Sequence, residues 1–213
     1  HNTHPDPYGL SLKSEPNGHI FVDNLNFMDC SKVSDGASGI IIASEEGLER
    51  IGVDKKDAVE VIAFAQTIRN ITEQPADRTE LTAIKKAIQK ALANAGIKVE
   101  QLGTVELHDC FSIAGILTVE ALGLAKPGEG CDYVAAGKTK RDGEMPMNTT
   151  GGLIGWGHPT GATGVHQAVT IWQQLTGKAG EAQIEIKADR PYGMSINMGG
   201  DDVTVSCVIY KRA

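Results

Sequence analysis

The stretch Leu102-Gly103-Thr104-Val105-Glu106-Leu107, followed by His108-Asp109-Cys110-Phe111 and then the apolar run Ser112–Leu122, decides the fold. It reads as a short strand, a four-residue loop and a helix. A helix with so little polar face is expected to lie buried between layers. Working outward, Thr79–Ala95 is the clearest helix, with Leu81, Ile84, Ile88, Leu92 and Ala95 at helical spacing and Lys85, Lys86 and Lys90 on the more polar side. Asp77 with Glu80 can form a capping box at its start, and Gly96 supplies the stop. Ala162–Leu175 is a further helix, its apolar face carried by Val165, Ala168, Val169, Trp172 and Leu175. Strands are expected at His19–Asp23, at the apolar run 37–43, which reads as buried, at Ala58–Ile68, and at Tyr192–Asn197 and Val203–Tyr210. Residues 69–78 and 123–150 read as connections. Strands alternating with helices indicate an α/β sheet, mostly parallel, with an antiparallel pair at the end.

Composition narrows the function. The 213 residues carry 20 Lys+Arg against 27 Asp+Glu, a formal charge of −7. That balance argues against a nucleic-acid or anionic-membrane partner. No apolar run approaches the roughly 20 residues of a membrane span. Four cysteines, Cys30, Cys110, Cys131 and Cys207, are too few for a disulfide scaffold in a chain of this length. Cys207 falls in a period-two pattern with Val203, Val205 and Ile209 and is expected to be buried. Glycine is in excess, with 25 residues or about 12%, against a usual value of about 7%.

Three loops carry residue types suited to chemistry. His108 and Cys110 stand two apart at the carboxyl end of a strand, where open α/β sheets collect catalytic groups. The helix that follows would lower the thiol's pKa through its dipole. The plainer reading is a strand-end His–Asp pair beside a buried thiol. The second loop, Gly151-Gly152-Leu153-Ile154-Gly155-Trp156-Gly157-His158-Pro159-Thr160-Gly161-Ala162-Thr163-Gly164, holds six glycines in fourteen residues. Such density implies positive φ or close backbone approach, and His158 has little local core to fill. The third, Ser195-Ile196-Asn197-Met198-Gly199-Gly200-Asp201, is a plain hairpin or a turn presenting N–H groups to an oxyanion. No GxSxG elbow, GxGxxG fingerprint, phosphate loop or completed zinc set is present in the sequence.

Together these loops resemble the C-terminal half of a thiolase, nearest the sterol-carrier-protein-2 type that carries HDCF. The resemblance covers nearly the whole chain and includes 30–39 (CSKVSDGASG), 108–111 (HDCF), 148–164 (NTTGGLIGWGHPTGATG) and 197–200 (NMGG). It implies an α/β fold, the C-terminal half of a thiolase, with a mixed five-stranded sheet and helices on both faces. Residues 1–35 would be an extended segment linking from an N-terminal half, and 36–213 the C-terminal domain.

The resemblance also implies roles. His158 would take the proton from a nucleophilic cysteine and face the thioester oxygen. His108 would donate to the enolate oxygen of acetyl-CoA, and Cys110 would be the acid/base thiol. Gly199 would contribute its N–H to a second oxyanion site, whose shape the following Asp201-Asp202 alters. Ser31 would lie near the pantetheine of coenzyme A. Asn197 stands where most thiolases have a cysteine. No thiol here has the context of the family's acyl-accepting cysteine, so this chain alone is expected to be inactive. Coenzyme A and acetyl-CoA are expected as substrates, with no bound cofactor and no metal. Expected partners are an acyl-CoA, an N-terminal thiolase half, and further copies in a homodimer or tetramer, in an intracellular setting (cytoplasmic, peroxisomal or mitochondrial). A thiolase-like retro-aldolase or a non-catalytic thiolase-fold protein are the alternatives.

Overall fold

A computed structural model gives the structure over residues 20–213. The expectations for residues 1–19 lie outside the described residues. In chain order the elements are β1 (Ile20–Val22), β2 (Leu25–Asn26), α1 (Glu45–Ile51), β3 (Val59–Ile68), α2 (Thr82–Ala95), β4 (Leu102–Glu106), α3 (Ser112–Ala121), α4 (Gly130–Ala135), α5 (Gly152–Trp156), α6 (Thr163–Thr176), β5 (Tyr192–Gly199) and β6 (Thr204–Arg212). The central sheet has the order β3-β6-β5-β4, and β1 pairs with β2 separately.

The sheet is mixed and covered on both faces. β6 alternates Val205, Cys207 and Ile209 toward a core with α2, while Val208 and Tyr210 face Ala168, Ile171 and Leu175 of α6. Period two thus feeds two helical layers from one strand. Ile84, Ile88, Met194, Ile196 and Ile209 are fully buried, each worth about 1.5–3 kcal/mol relative to exposure. Cys207 is buried as expected, and burial pushes its thiol up to about 12.

Several expectations change. Parallel pairing is confined to β4 with β5, because β6 returns antiparallel beside β5 and β3 joins β6 antiparallel. The run at 37–43 is not a strand: Ile41 and Ile42 are 85% and 83% exposed. A β-branched run becomes a strand only where an edge accepts it. Here β6 and β5 are paired on both sides, and the run pairs with neither outer strand. The sheet therefore has four strands among the described residues. Helix α3 buries Ala114, Thr118 and Val119, but Ile113 is 47% exposed, since nothing among the described residues covers its second side. The connection at 123–150 contains the short helix α4.

The start of α2 also differs. Asp77 accepts from Thr79 rather than capping the helix. The cap is Asp202, whose carboxylate accepts from the N–H groups of Ala83 and Ile84, both at 2.8 Å. Gly96 ends the helix at φ 67°, as expected.

Candidate active site

The site is assembled by tying three loops together across the carboxyl end of β4. Asn148 lies beside that strand's end, and its side-chain amide closes on the backbone of Leu107, accepting from its N–H at 2.8 Å and donating to its carbonyl at 3.2 Å. Asp109 accepts from the N–H of Leu153 at 2.8 Å, which docks the His108 loop on the start of α5. Gly152, at φ 62°, sits so close that a Cβ there would overlap the Asp109 carboxylate. Below the loop, Glu106 is buried and accepts from the Thr149 N–H; burial raises it to about 8, so it is mostly neutral at pH 7.

Residues 30–34 stitch the other loops together. The Ser31 N–H donates to the Cys110 carbonyl at 2.8 Å, and the His158 N–H donates to the Lys32 carbonyl at 3.1 Å. Gly157 holds φ 105° against Ser34, whose Oγ occupies the place of a Cβ. Any larger residue would have to displace that crossing and carry His158 with it.

The result is a pair of imidazoles. The rings of His108 and His158 stand edge to face, with centroids 4.9 Å apart and planes at 89°. Burial first, then the neighbouring His158, lowers His108 to about 4. Burial also lowers His158, and both rings are therefore neutral near pH 7. The Thr163 hydroxyl lies 3.1 Å from the Pro159 carbonyl and 2.7 Å from His158 Nδ1. That carbonyl already accepts the backbone N–H groups of Ala162 and Thr163, so the hydroxyl is able to donate to His158 Nδ1 or to accept from it, according to the tautomer. When Nδ1 carries the proton, the lone pair of His158 Nε2 is bare and equipped to act as a base.

His108 Nδ1 lies 3.2 Å from Asn197 Nδ2, which also reaches Gln167 Oε1 at 3.1 Å. Cys110, two residues beyond His108, is half-buried. Its thiol is pushed up, mainly by burial, against the depression expected from the helix. The physical reason is that Cys110 precedes the cap residue Phe111 of α3, so burial outweighs the backbone N–H groups that favour a thiolate.

The structure thus brings the rings of His108 and His158 together, with Cys110 two residues beyond His108 in the same loop and Ser31 joined to Cys110 through the backbone. Gly199 stands at the exposed end of β5, two residues beyond Asn197. Thr163, Gln167 and Asn148 were not singled out by sequence reasoning as site residues. A signal existed for two of them. Thr163, Gln167, Thr170 and Gln174 recur at helical spacing and are all buried, a polar stripe beside the apolar face of α6. A cleft of about 370 Å³, lined in part by Gly103, Arg141, Glu144, Ile184 and Arg190, shares no residue with this cluster.

The fold agrees with what comparison with known proteins finds. The family described as thiolase C-terminal domain-like matches residues 64–212. The chain belongs to the thiolase C-terminal domain family. It is 37% identical over 207 residues to the acetyl-CoA acetyltransferase of Methanothermobacter thermautotrophicus, covering 97% of this chain and 52% of that protein. It is also 37% identical over 189 residues to sterol carrier protein 2 of Rattus norvegicus, covering 84% of this chain and 33% of the relative. The chain spans about half the length of the first relative and a third of the second. A solved structure titled Ltp2-ChsH2(DUF35) aldolase matches with a TM-score of 0.61 at 20% identity, over 72% of this chain and 39% of that one, and shows the same fold.

Proposed function

We propose that this chain supplies the C-terminal part of a thiolase that cleaves 3-ketoacyl-CoA or condenses acetyl-CoA. The observation that carries this reading is the edge-to-face pair of neutral imidazoles, with Thr163 Oγ 2.7 Å from His158 Nδ1 and Cys110 in the same loop as His108. In the cleavage direction His158 takes the proton from a nucleophilic cysteine that this chain does not supply. The thiolate adds to the 3-keto carbon, and the C2–C3 bond breaks with its electron pair moving onto C2 as an enolate. His108 donates to the enolate oxygen. Cys110, held protonated by burial, gives its proton to C2 and releases acetyl-CoA. Gly199 offers its N–H to the oxygen of the tetrahedral intermediate, and Ser31 lies toward the pantetheine of the bound thioester.

On this reading the substrate is an acyl-CoA, no resident cofactor or metal takes part, and the partner is an N-terminal thiolase half within an intracellular dimer or tetramer. Alone, the chain has acid/base and oxyanion groups without their nucleophile. The test is mass spectrometry of the chain joined to its N-terminal half, after brief exposure to acetyl-CoA. An acetylated cysteine in the N-terminal half, absent from the isolated chain, is expected. No acetyl-cysteine on either part contradicts the reading.

A further inference from the structure

The amide groups beside His108 form a relay whose direction is set at one end by a backbone carbonyl. The Ile196 carbonyl can only accept, so Gln167 faces it with Nε2, at 3.4 Å. The opposite orientation would press Gln167 Oε1 against that carbonyl oxygen in a fully buried position. Gln167 Oε1 therefore points at Asn197, and the group meeting it must be the donor Nδ2, at 3.1 Å. The second hydrogen of the same Nδ2 is directed at His108 Nδ1, at 3.2 Å. That nitrogen must accept.

We propose that Asn197 and Gln167 are positioning residues that hold His108 in the Nε2–H tautomer, opposite to the Nδ1–H tautomer that the thiolase reading requires of His158. The two adjacent imidazoles are then unequal in a defined sense. His108 presents an N–H to a developing oxyanion, while His158 presents a lone pair to a thiol proton. Asn197 also opposes protonation of His108 to imidazolium, because a proton on Nδ1 would face the N–H of Asn197. The significance of the tautomer for catalysis rests on the thiolase reading above, but its existence rests on the hydrogen-bond relay alone.

The test is long-range proton–nitrogen correlation NMR of the 213-residue chain, labelled with nitrogen-15 in its histidine rings and recorded near pH 7. The wild-type protein is expected to show His108 with Nδ1 bare and Nε2 protonated. Asn197→Asp replaces the donor by an acceptor of nearly equal shape, and is expected to move the proton to Nδ1. Gln167→Ala frees the Asn197 amide to rotate, and is expected to give a mixture of tautomers. A wild-type His108 protonated at Nδ1 overturns the proposal, and needs no variant to fold. A folded Asn197→Asp protein with His108 still protonated at Nε2 overturns it equally. Turnover does not enter this readout, so failure of the thiolase reading would be seen separately in the acetylation experiment.

Discussion

At His158, Cys110 and Glu106 the environment decides the protonation state that each side chain brings to the site. The base role proposed for His158 predicts that His158→Ala in the completed enzyme lowers kcat by about 10²–10⁴, read from steady-state cleavage of acetoacetyl-CoA. Glu106 gives a prediction that needs no catalysis. Its carboxyl has an ordinary value of 4.5 and is raised by burial to about 8 in the folded chain. Between those values the folded state binds more protons than the unfolded one, so stability falls as pH rises. His108 acts in the opposite sense, its contribution being lost as pH falls from 6.5 toward 4. An unfolded histidine is still half protonated at pH 6.5, so His108, His158 and His166, all lowered by burial, raise stability over about the next pH unit, and the Glu106 effect is read as a difference. From pH 6.5 to 8 the urea midpoint of the wild-type chain is expected to fall relative to that of Glu106→Gln. Parallel slopes for the two proteins would contradict the buried neutral carboxyl.

At the scale of elements, the hairpin between β5 and β6 does more than return the chain. Asp201 and Asp202 both have positive φ, at 52° and 59°. Arg69 donates to both of their carbonyls, and Asp202 caps α2 across 119 residues of sequence. Asp202→Ala is expected to cost about 1–2 kcal/mol, the usual worth of a cap, measured by urea denaturation. Asp202→Asn, which keeps an accepting oxygen, should lose less. This cap shows where sequence reasoning stops. Helix α2 was legible from its apolar spacing and Gly96, because both signals are local. Its cap was not, because the carboxylate arrives from the other end of the chain and a plausible local candidate, Asp77, was at hand. The loops of the candidate site stood out for the same reason as the helix, since His108, Cys110 and His158 sit in short contiguous motifs. Gln167 was hidden by its own helix, where a buried glutamine beside Ala168 resembles an ordinary polar position. The run at 37–43 misled in the other direction, since hydrophobicity reports a need for burial and not which surface provides it.

For the whole molecule, that need remains unmet. Ile40, Ile41 and Ile42, and separately Phe64 and Ile68 on β3, are exposed apolar side chains among the described residues. Large exposed apolar surface invites association. The isolated chain is expected to self-associate in light scattering, and a monodisperse monomer across a concentration series would contradict this. The proposed function puts acid/base and oxyanion groups on this C-terminal part and the acyl-accepting thiol on an N-terminal half. The most direct test is cleavage of acetoacetyl-CoA, assayed for the isolated chain and for the same chain joined to its N-terminal half. The account predicts no turnover from the first and clear turnover from the second, whereas clear turnover by the isolated chain would contradict it.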